Sequence, residues 1–237
     1  MQIYIDAIVE GWRLLVTGAL DVWSIVIVSF RVSGAATLIA LVLGVPAGFL
    51  LGTYRSVSRR VALVLANTGM GLPPVAVGLV VAMTLSRHGP LGELRLLYSQ
   101  PAMIIAQVII ALPIVAAVTA AAVSSVPREL RLQARSLGAS PLREMALTLA
   151  EARMGLLAAV AAGFGSIISE VGAVMMVGGN LAGETRVMTT AIVQYTRMGR
   201  YGAAFALVVI LVSIVLAVNV LITGIQTSAE RYEGGTR

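Results

Sequence analysis

The sequence predicts an all-α, polytopic membrane protein with about five transmembrane helices. Three observations predict it. The first is composition: 58% of the 237 residues are hydrophobic and only 12% are charged, where a soluble globular chain carries about 25% charged residues. The second is a mean hydropathy of +0.94, since so few charges cannot cover the surface of a soluble domain of this size. The third is a set of nearly charge-free runs long enough to cross a hydrocarbon core about 30 Å thick as helices. The remaining composition excludes several chemistries. There are no cysteines, so disulfides, iron–sulfur clusters and thiolate zinc sites are absent, and the single histidine, His88, cannot build a multi-histidine metal site. All 17 basic residues are arginines, and most flank apolar runs rather than forming a dense basic face. The net charge of +6 therefore reads as topology charge, not as nucleic-acid binding.

Taken in order, residues 1–21 form an N-terminal segment in which Asp6, Glu10 and Arg13 alternate with apolar residues at helical spacing. This is expected to lie in the membrane interface rather than cross it. It has no basic n-region and does not read as a cleaved signal peptide. The apolar runs 22–30 and 32–54 flank Arg31, and one long tilted helix with its arginine snorkelling to the headgroups accommodates both. Further crossings are expected over 61–86, 101–127, 154–169 continuing to 182, and 201–229, with a tail at 230–237. Pro46, the pair Pro73–Pro74 and Pro113 interrupt these runs. Broken helices persist in membranes only where neighbours or a wet cavity satisfy the freed backbone groups. The segment NTGMGLPPVAVGL (67–79) is the most disrupted, and a bend there, at Pro73 and Pro74, is expected to line or gate a pathway. The Gly44, Gly48, Gly52 spacing suggests close helix packing without naming a partner helix. With five crossings, ten arginines fall on the side of the 124–153 loop and seven on the other. The positive-inside rule then places the N-terminus out and the C-terminus in.

The longest polar stretch, 124–153, is SSVPRELRLQARSLGASPLREMALTLAEAR. Pro127 can open a first helix, Gly138 can end it, and Ser140 can cap a second that begins at Pro141. Two short amphipathic helices joined by a glycine turn make a compact knob, and its leucines suit a groove on a soluble partner. This stretch resembles the cytoplasmic coupling loop of bacterial ABC-importer permeases, whose pattern is Glu-Ala-Ala, three residues, Gly, nine residues, Ile-x-Leu-Pro. Gly138 and Ala134 match; Leu132, Gln133, Thr148, Ala150 and Glu151 depart from it. Together with NTGMGLPPVAVGL and GFGSIISEVGAVMMVGGNLAGETRVMTTAI, the loop resembles segments of tungstate-importer permeases, and molybdate permeases share a similar GNI-x-G-x-T-x-T segment. The resemblance covers roughly residues 25–225.

The resemblance implies a type I ABC-importer permease domain over 22–229 in a bacterial or archaeal cytoplasmic (inner) membrane. It implies a homodimer with a pathway between two copies, each coupling loop docked on a cytoplasmic ABC ATPase dimer, and an extracytoplasmic binding protein delivering the oxyanion. Arg135, Leu137, Gly138, Ala139, Ser140 and Pro141 are the expected ATPase-coupling residues. The chain is expected to be no enzyme and to bind no cofactor itself; ATP belongs to the partner. Without lysine it cannot contain the phosphate-loop motif G-x-x-x-x-G-K-[ST].

The path residues follow from the chemistry of the anion. Segment 178–190, GGNLAGETRVMTT, combines glycines that allow close backbone approach with Asn180, Thr185, Thr189 and Thr190 as neutral donors and Arg186 as the positive charge. A short helix beginning near residues 184–185 would add free N–H groups. Glu170 is the lone acid within a span and would repel a dianion, so a gating or structural role is expected, holding the helix interface through Ser166, Ser169 or a neighbouring helix. Tungstate is the expected cargo, with molybdate, sulfate or phosphate as alternatives by the same mechanism. An ion-coupled secondary transporter is a rival from another class, disfavoured by the coupling loop. A serine hydrolase built on GFGSIISE lacks a base, because no histidine or lysine lies in any span.

Overall fold

The structure, a computed structural model, describes residues 2–17, 22–53 and 57–234, and these are helical apart from short connections. Arg55 and Arg237, two of the inner-side topology arginines, and positions 18–21 of the N-terminal segment lie outside the described residues. Helix α1 (Gln2–Thr17) lies against the C-terminal helix α11 (Tyr201–Gly234). Gly11 sets the closeness, because a Cβ there would sit 3.1 Å from the Gly202 carbonyl oxygen.

Helix α2 (Val22–Thr53) runs unbroken for 32 residues, with Arg31 exposed on its side and Pro46 inside it. At 1.5 Å per residue it is longer than the hydrocarbon is thick, as a tilted or protruding helix must be. The glycine stripe finds its partner within the chain. A Cβ at Gly48 would lie 2.6 Å from both the Ala116 carbonyl oxygen and Thr119 Cβ, and one at Gly52 would lie 2.7 Å from Val123 Cβ. All three contact residues belong to α5 (Gln100–Ser125). Small residues in place of large ones let the two backbones approach and gain dispersion contacts that lipid tails cannot supply better.

The crossing expected at 61–86 bends at the proline pair, as the sequence predicts: it is two helices, α3 (Val57–Met70) and α4 (Pro74–Leu85), meeting at an angle of 100°. Pro73 is extended (φ −61°, ψ 121°) and Pro74 occupies the first turn of α4. A residue preceding proline is pushed out of the helical region, so two successive prolines end one helix and start the next. Gly69 approaches Pro113 of α5 so closely that a Cβ would sit 2.7 Å from the ring.

Helix α5 is the centre of the bundle and touches α2, α3, α4 and two later helices, α8 (Arg153–Ile168) and α9 (Gly172–Gly178). Its start is capped by the Ser99 hydroxyl, which accepts from the Ala102 N–H at 3.5 Å. Between α5 and α8 lie α6 (Arg128–Ser136) and α7 (Pro141–Glu151), and α10 (Met188–Arg197) precedes α11. The continuation of the fourth crossing to residue 182 is corrected, since α8 stops at Ile168 and the chain restarts as the seven-residue α9. Two apolar clusters hold the bundle, one from α2, α4, α5 and α9 around Val32, Met103 and Val177, the other from α2, α10 and α11 around Ile25, Met188 and Leu207. Among the described residues, three helices are long and apolar enough to cross a membrane, or up to five if each bent pair is one span. Outward-facing Leu38, Val42, Val220 and Leu221 on α2 and α11 are exposed, which is what a lipid solvent permits.

Candidate functional site

Two regions carry the sequence-derived candidates, and α8 joins them. The first is the knob. Helices α6 and α7 form where expected, and Gly138 adopts φ +80°. The Gly138 N–H donates to the Arg135 carbonyl at 2.9 Å and the Ala139 N–H to the Ala134 carbonyl at 3.0 Å, a paired closure that uses the left-handed glycine to satisfy the last carbonyls of α6. Ser140 caps α7 by accepting from the Arg143 N–H at 3.4 Å, and Pro141 begins its first turn. Glu144 was not among the sequence candidates. Its carboxylate is only 7% exposed and receives two hydrogen bonds from Arg135, at 2.7 and 3.0 Å, so the pair ties α6 to α7. The inner face of the knob packs on the bundle through Leu130, Met145 and Leu149 against Phe49, Val123 and Val126. Its outer face presents Leu137 at 89% and Leu142 at 74% exposure. Apolar tips standing so far into water mark a surface built for a partner.

The second region is a polar seam among α2, α5, α8, α9 and α10. Glu170 sits in the break after α8, and its carboxylate accepts the Ala173 N–H at 2.9 Å, capping α9. Its carbonyl accepts the Thr189 hydroxyl at 2.8 Å. Ser169 instead donates back to the Gly165 carbonyl at 2.7 Å and remains exposed. Of the three expected holders, Ser166, Ser169 and a neighbouring helix, the structure uses the last: Glu170 is held by Thr189 of α10 and by the Ala173 backbone.

Within 178–190 the hydroxyls are largely engaged in shaping the loop. Thr185 donates to the Gly178 carbonyl at 2.6 Å and accepts the Leu181 N–H at 2.9 Å. The Thr190 hydroxyl accepts the Val187 N–H at 3.2 Å. Both threonines are buried. The helix expected near residues 184–185 begins instead at Met188, and the Ser29 hydroxyl of α2 already accepts the Met188 N–H at 2.8 Å. The start of α10 is thus occupied by protein acceptors. Asn180 takes a left-handed conformation (φ 55°) and donates from its amide to Gln194 Oε1 at 2.8 Å. Arg186 reaches the Asn180 carbonyl at 3.4 Å. Arg186 Nε and Asn180 Oδ1 are buried without a hydrogen-bond partner among the described residues, so these two side chains retain unused polar capacity in the loop.

Sequence reasoning missed Ser29, Ser33 and Gln107, which with Glu170 and Thr189 line a cavity of about 10 Å³ in the seam, the space one water needs. The signal was available: each is a polar residue inside an otherwise apolar run. Gln107 donates to the Ile167 carbonyl at 3.3 Å while its Oε1 has no partner among the described residues. No group of three or more metal-ligating side chains occurs among the described residues.

Exposed apolar spans, a two-helix knob with exposed leucine tips and a polar seam among the helices fit a membrane-spanning subunit of a transporter. The chain belongs to the family described as binding-protein-dependent transport system inner membrane component, whose pattern matches residues 44–231. It is thus the permease subunit of an ABC importer, a multi-pass inner-membrane protein and not an enzyme. It is 42% identical over 203 residues to a probable anion ABC transporter permease of Haloferax volcanii, covering 84% of this chain and 88% of that one. It is 39% identical over 225 residues to the tungstate uptake system permease TupB of Peptoclostridium acidaminophilum, covering 93% and 99%. The molybdenum transport system permease ModB of Azotobacter vinelandii is 26% identical over 184 residues, covering 74% and 81%. The fold matches the methionine ABC transporter MetNI in an inward-facing conformation with a TM-score of 0.69 at 20% identity, over 92% of this chain and 96% of that one.

Proposed function

We propose that this permease carries tungstate across the inner membrane, drawing on an extracytoplasmic binding protein outside and an ATPase inside. The supporting observation is the 39% identity, nearly end to end, to a permease named for tungstate uptake. Molybdate is the second reading, favoured by the more distant likeness to a molybdenum permease.

Two copies of the chain form the pathway between them, with the N-terminus outside and the knob at 124–153 inside. Leu137 and Leu142 enter a groove on the ATPase, with Arg135, Gly138, Ala139, Ser140 and Pro141 setting the shape that enters it. The Arg135–Glu144 pair makes the knob move as one body. Helix α7 passes the motion to α8 at a 77° corner. Sixteen residues of α8 form a rod about 24 Å long that ends at Ser169 and Glu170. Moving that end disturbs the bond from Thr189 to the Glu170 carbonyl and so the 178–190 loop. There Arg186 and Asn180 offer the charge and polar atoms to a tetrahedral dianion, Thr185, Thr189 and Thr190 hold the loop, and the bend at Pro73–Pro74 gives the pathway its second wall. Several moderate contacts suit transport, because one very tight site would hinder release.

The test is uptake into proteoliposomes holding the permease, its ATPase and its binding protein. ATP-dependent accumulation of tungstate, competed weakly by molybdate and sulfate, is expected. Molybdate accumulation that tungstate fails to suppress would transfer the assignment to the second reading, and uptake independent of ATP would overturn both.

A further inference from the structure

A cavity of about 630 Å³ opens beneath the knob, between the ends of α2 and α5, the start of α3 and the start of α6. Among the described residues its lining includes Thr53, Arg59, Arg128, Arg131, Arg135 and a single acid, Glu144. Glu144 is matched by its two bonds from Arg135 and Arg59 donates to the Leu51 carbonyl, which leaves Arg128 and Arg131 as the further basic side chains of the lining. Two of the lining donors are unfulfilled: Arg131 Nε and Thr53 Oγ1 are buried with no hydrogen-bond partner among the described residues. Buried donors without acceptors are costly and rare in folded proteins.

The backbone contributes in the same sense. The nine-residue α6 opens at Pro127, which provides no side-chain acceptor, and Pro127 and Arg128 both line the cavity. Uncapped first-turn N–H groups favour an anion. The neighbouring hydroxyls do not compete, since Ser124 donates to the Ala120 carbonyl and Ser125 to the Ala122 carbonyl, each at 2.7 Å.

We propose that this cavity is a second anion site, separate from the translocation path, that takes a tetrahedral phosphate-like oxyanion on the cytoplasmic side. Its placement on that side rests on the reading of 124–153 as the coupling loop. The cavity lies where α2 and α5 end, at headgroup depth, and basic pockets between helices at cytoplasmic ends take anionic lipid headgroups. A free oxyanion delivered by transport offers the same chemistry. An anion held by Arg131 on α6 against the ends of α2 and α5 favours one setting of the knob against the spans, which links occupancy to coupling.

The test uses the assembled permease–ATPase complex in nanodiscs, with Arg131→Gln as the pocket variant. Arg60→Gln, an exposed α3 arginine outside the lining, is the charge-matched control, and Arg186→Gln reports on the path. In discs of phosphatidylcholine alone, calorimetry with tungstate reads the free-anion source. Adding phosphatidylglycerol and measuring the melting temperature reads the lipid source. The proposal expects at least one response in the wild type, retained by Arg60→Gln and Arg186→Gln, and weakened about tenfold (or, for melting, abolished) in Arg131→Gln. Arg131→Lys, which keeps the charge, should preserve most of it and guards against a folding defect. No response in the wild type, or responses that survive in Arg131→Gln, would overturn the site. Both arms read binding without turnover, so loss of ATP-driven uptake elsewhere leaves them interpretable.

Discussion

Arg135 and Glu144 show how unequal the two halves of an ion pair can be. The Arg135 side chain is 56% exposed and the Glu144 side chain 7%. Removing the arginine strands a carboxylate among protein atoms, whereas removing the glutamate leaves a guanidinium that water can still solvate. Arg135→Ala is therefore expected to destabilise the knob more than Glu144→Gln does. After allowing for the solvent screening of the arginine, the difference is about 1 kcal/mol. Comparing ATPase coupling and thermal stability of the two variants checks the order, and equal losses would contradict it. Arg186 makes a different prediction. Its Nε has no hydrogen-bond partner among the described residues, and its bond to the Asn180 carbonyl is long at 3.4 Å. Arg186→Ala should lower tungstate uptake about tenfold while leaving assembly and the binding protein's affinity intact. Unchanged uptake in proteoliposomes would remove Arg186 from the path.

At the scale of helices, the α2–α5 contact leaves no space for side chains along its glycine stripe. A side chain at Gly48 has no room, since its Cβ would already lie 2.6 Å from backbone. Gly34, on the same helix, would place a Cβ in open space. Gly48→Val should cost about 2 kcal/mol through overpacking, while Gly34→Ala should be neutral or mildly stabilising through helix propensity. Denaturant titration of the purified protein, followed by helix content, distinguishes them, and equal stability of the two variants would disprove the tight contact. The same contact explains what sequence reasoning left open. Glycines spaced by four announce close approach, but the pattern is equally compatible with a second copy or a helix of the same chain. Only the packed bundle shows Ala116, Thr119 and Val123 opposite them.

In the whole molecule, the knob, the α8 rod and the seam follow one another from the face proposed for the ATPase to the 178–190 loop, and α5 packs against α8 between them. Much of this was legible in sequence. Scarcity of charge named the solvent, the arginine distribution suggested an orientation, and Pro127, Gly138, Ser140 and Pro141 marked both knob helices to within a residue, because caps and left-handed turns are local chemistry. What sequence could not supply was long-range. The 100° corner between α3 and α4 depends on how α5 receives them. The start of α10 at Met188 depends on Ser29, 159 positions away, accepting its N–H. The Thr189 hydroxyl that donates to the Glu170 carbonyl comes from 19 positions away, and the buried Glu144 became visible only once α6 lay beside α7. Local preferences act over one or two turns and are written in the sequence. Which polar groups meet across helices is decided by tertiary packing, since each buried donor accepts whatever acceptor the fold brings within reach.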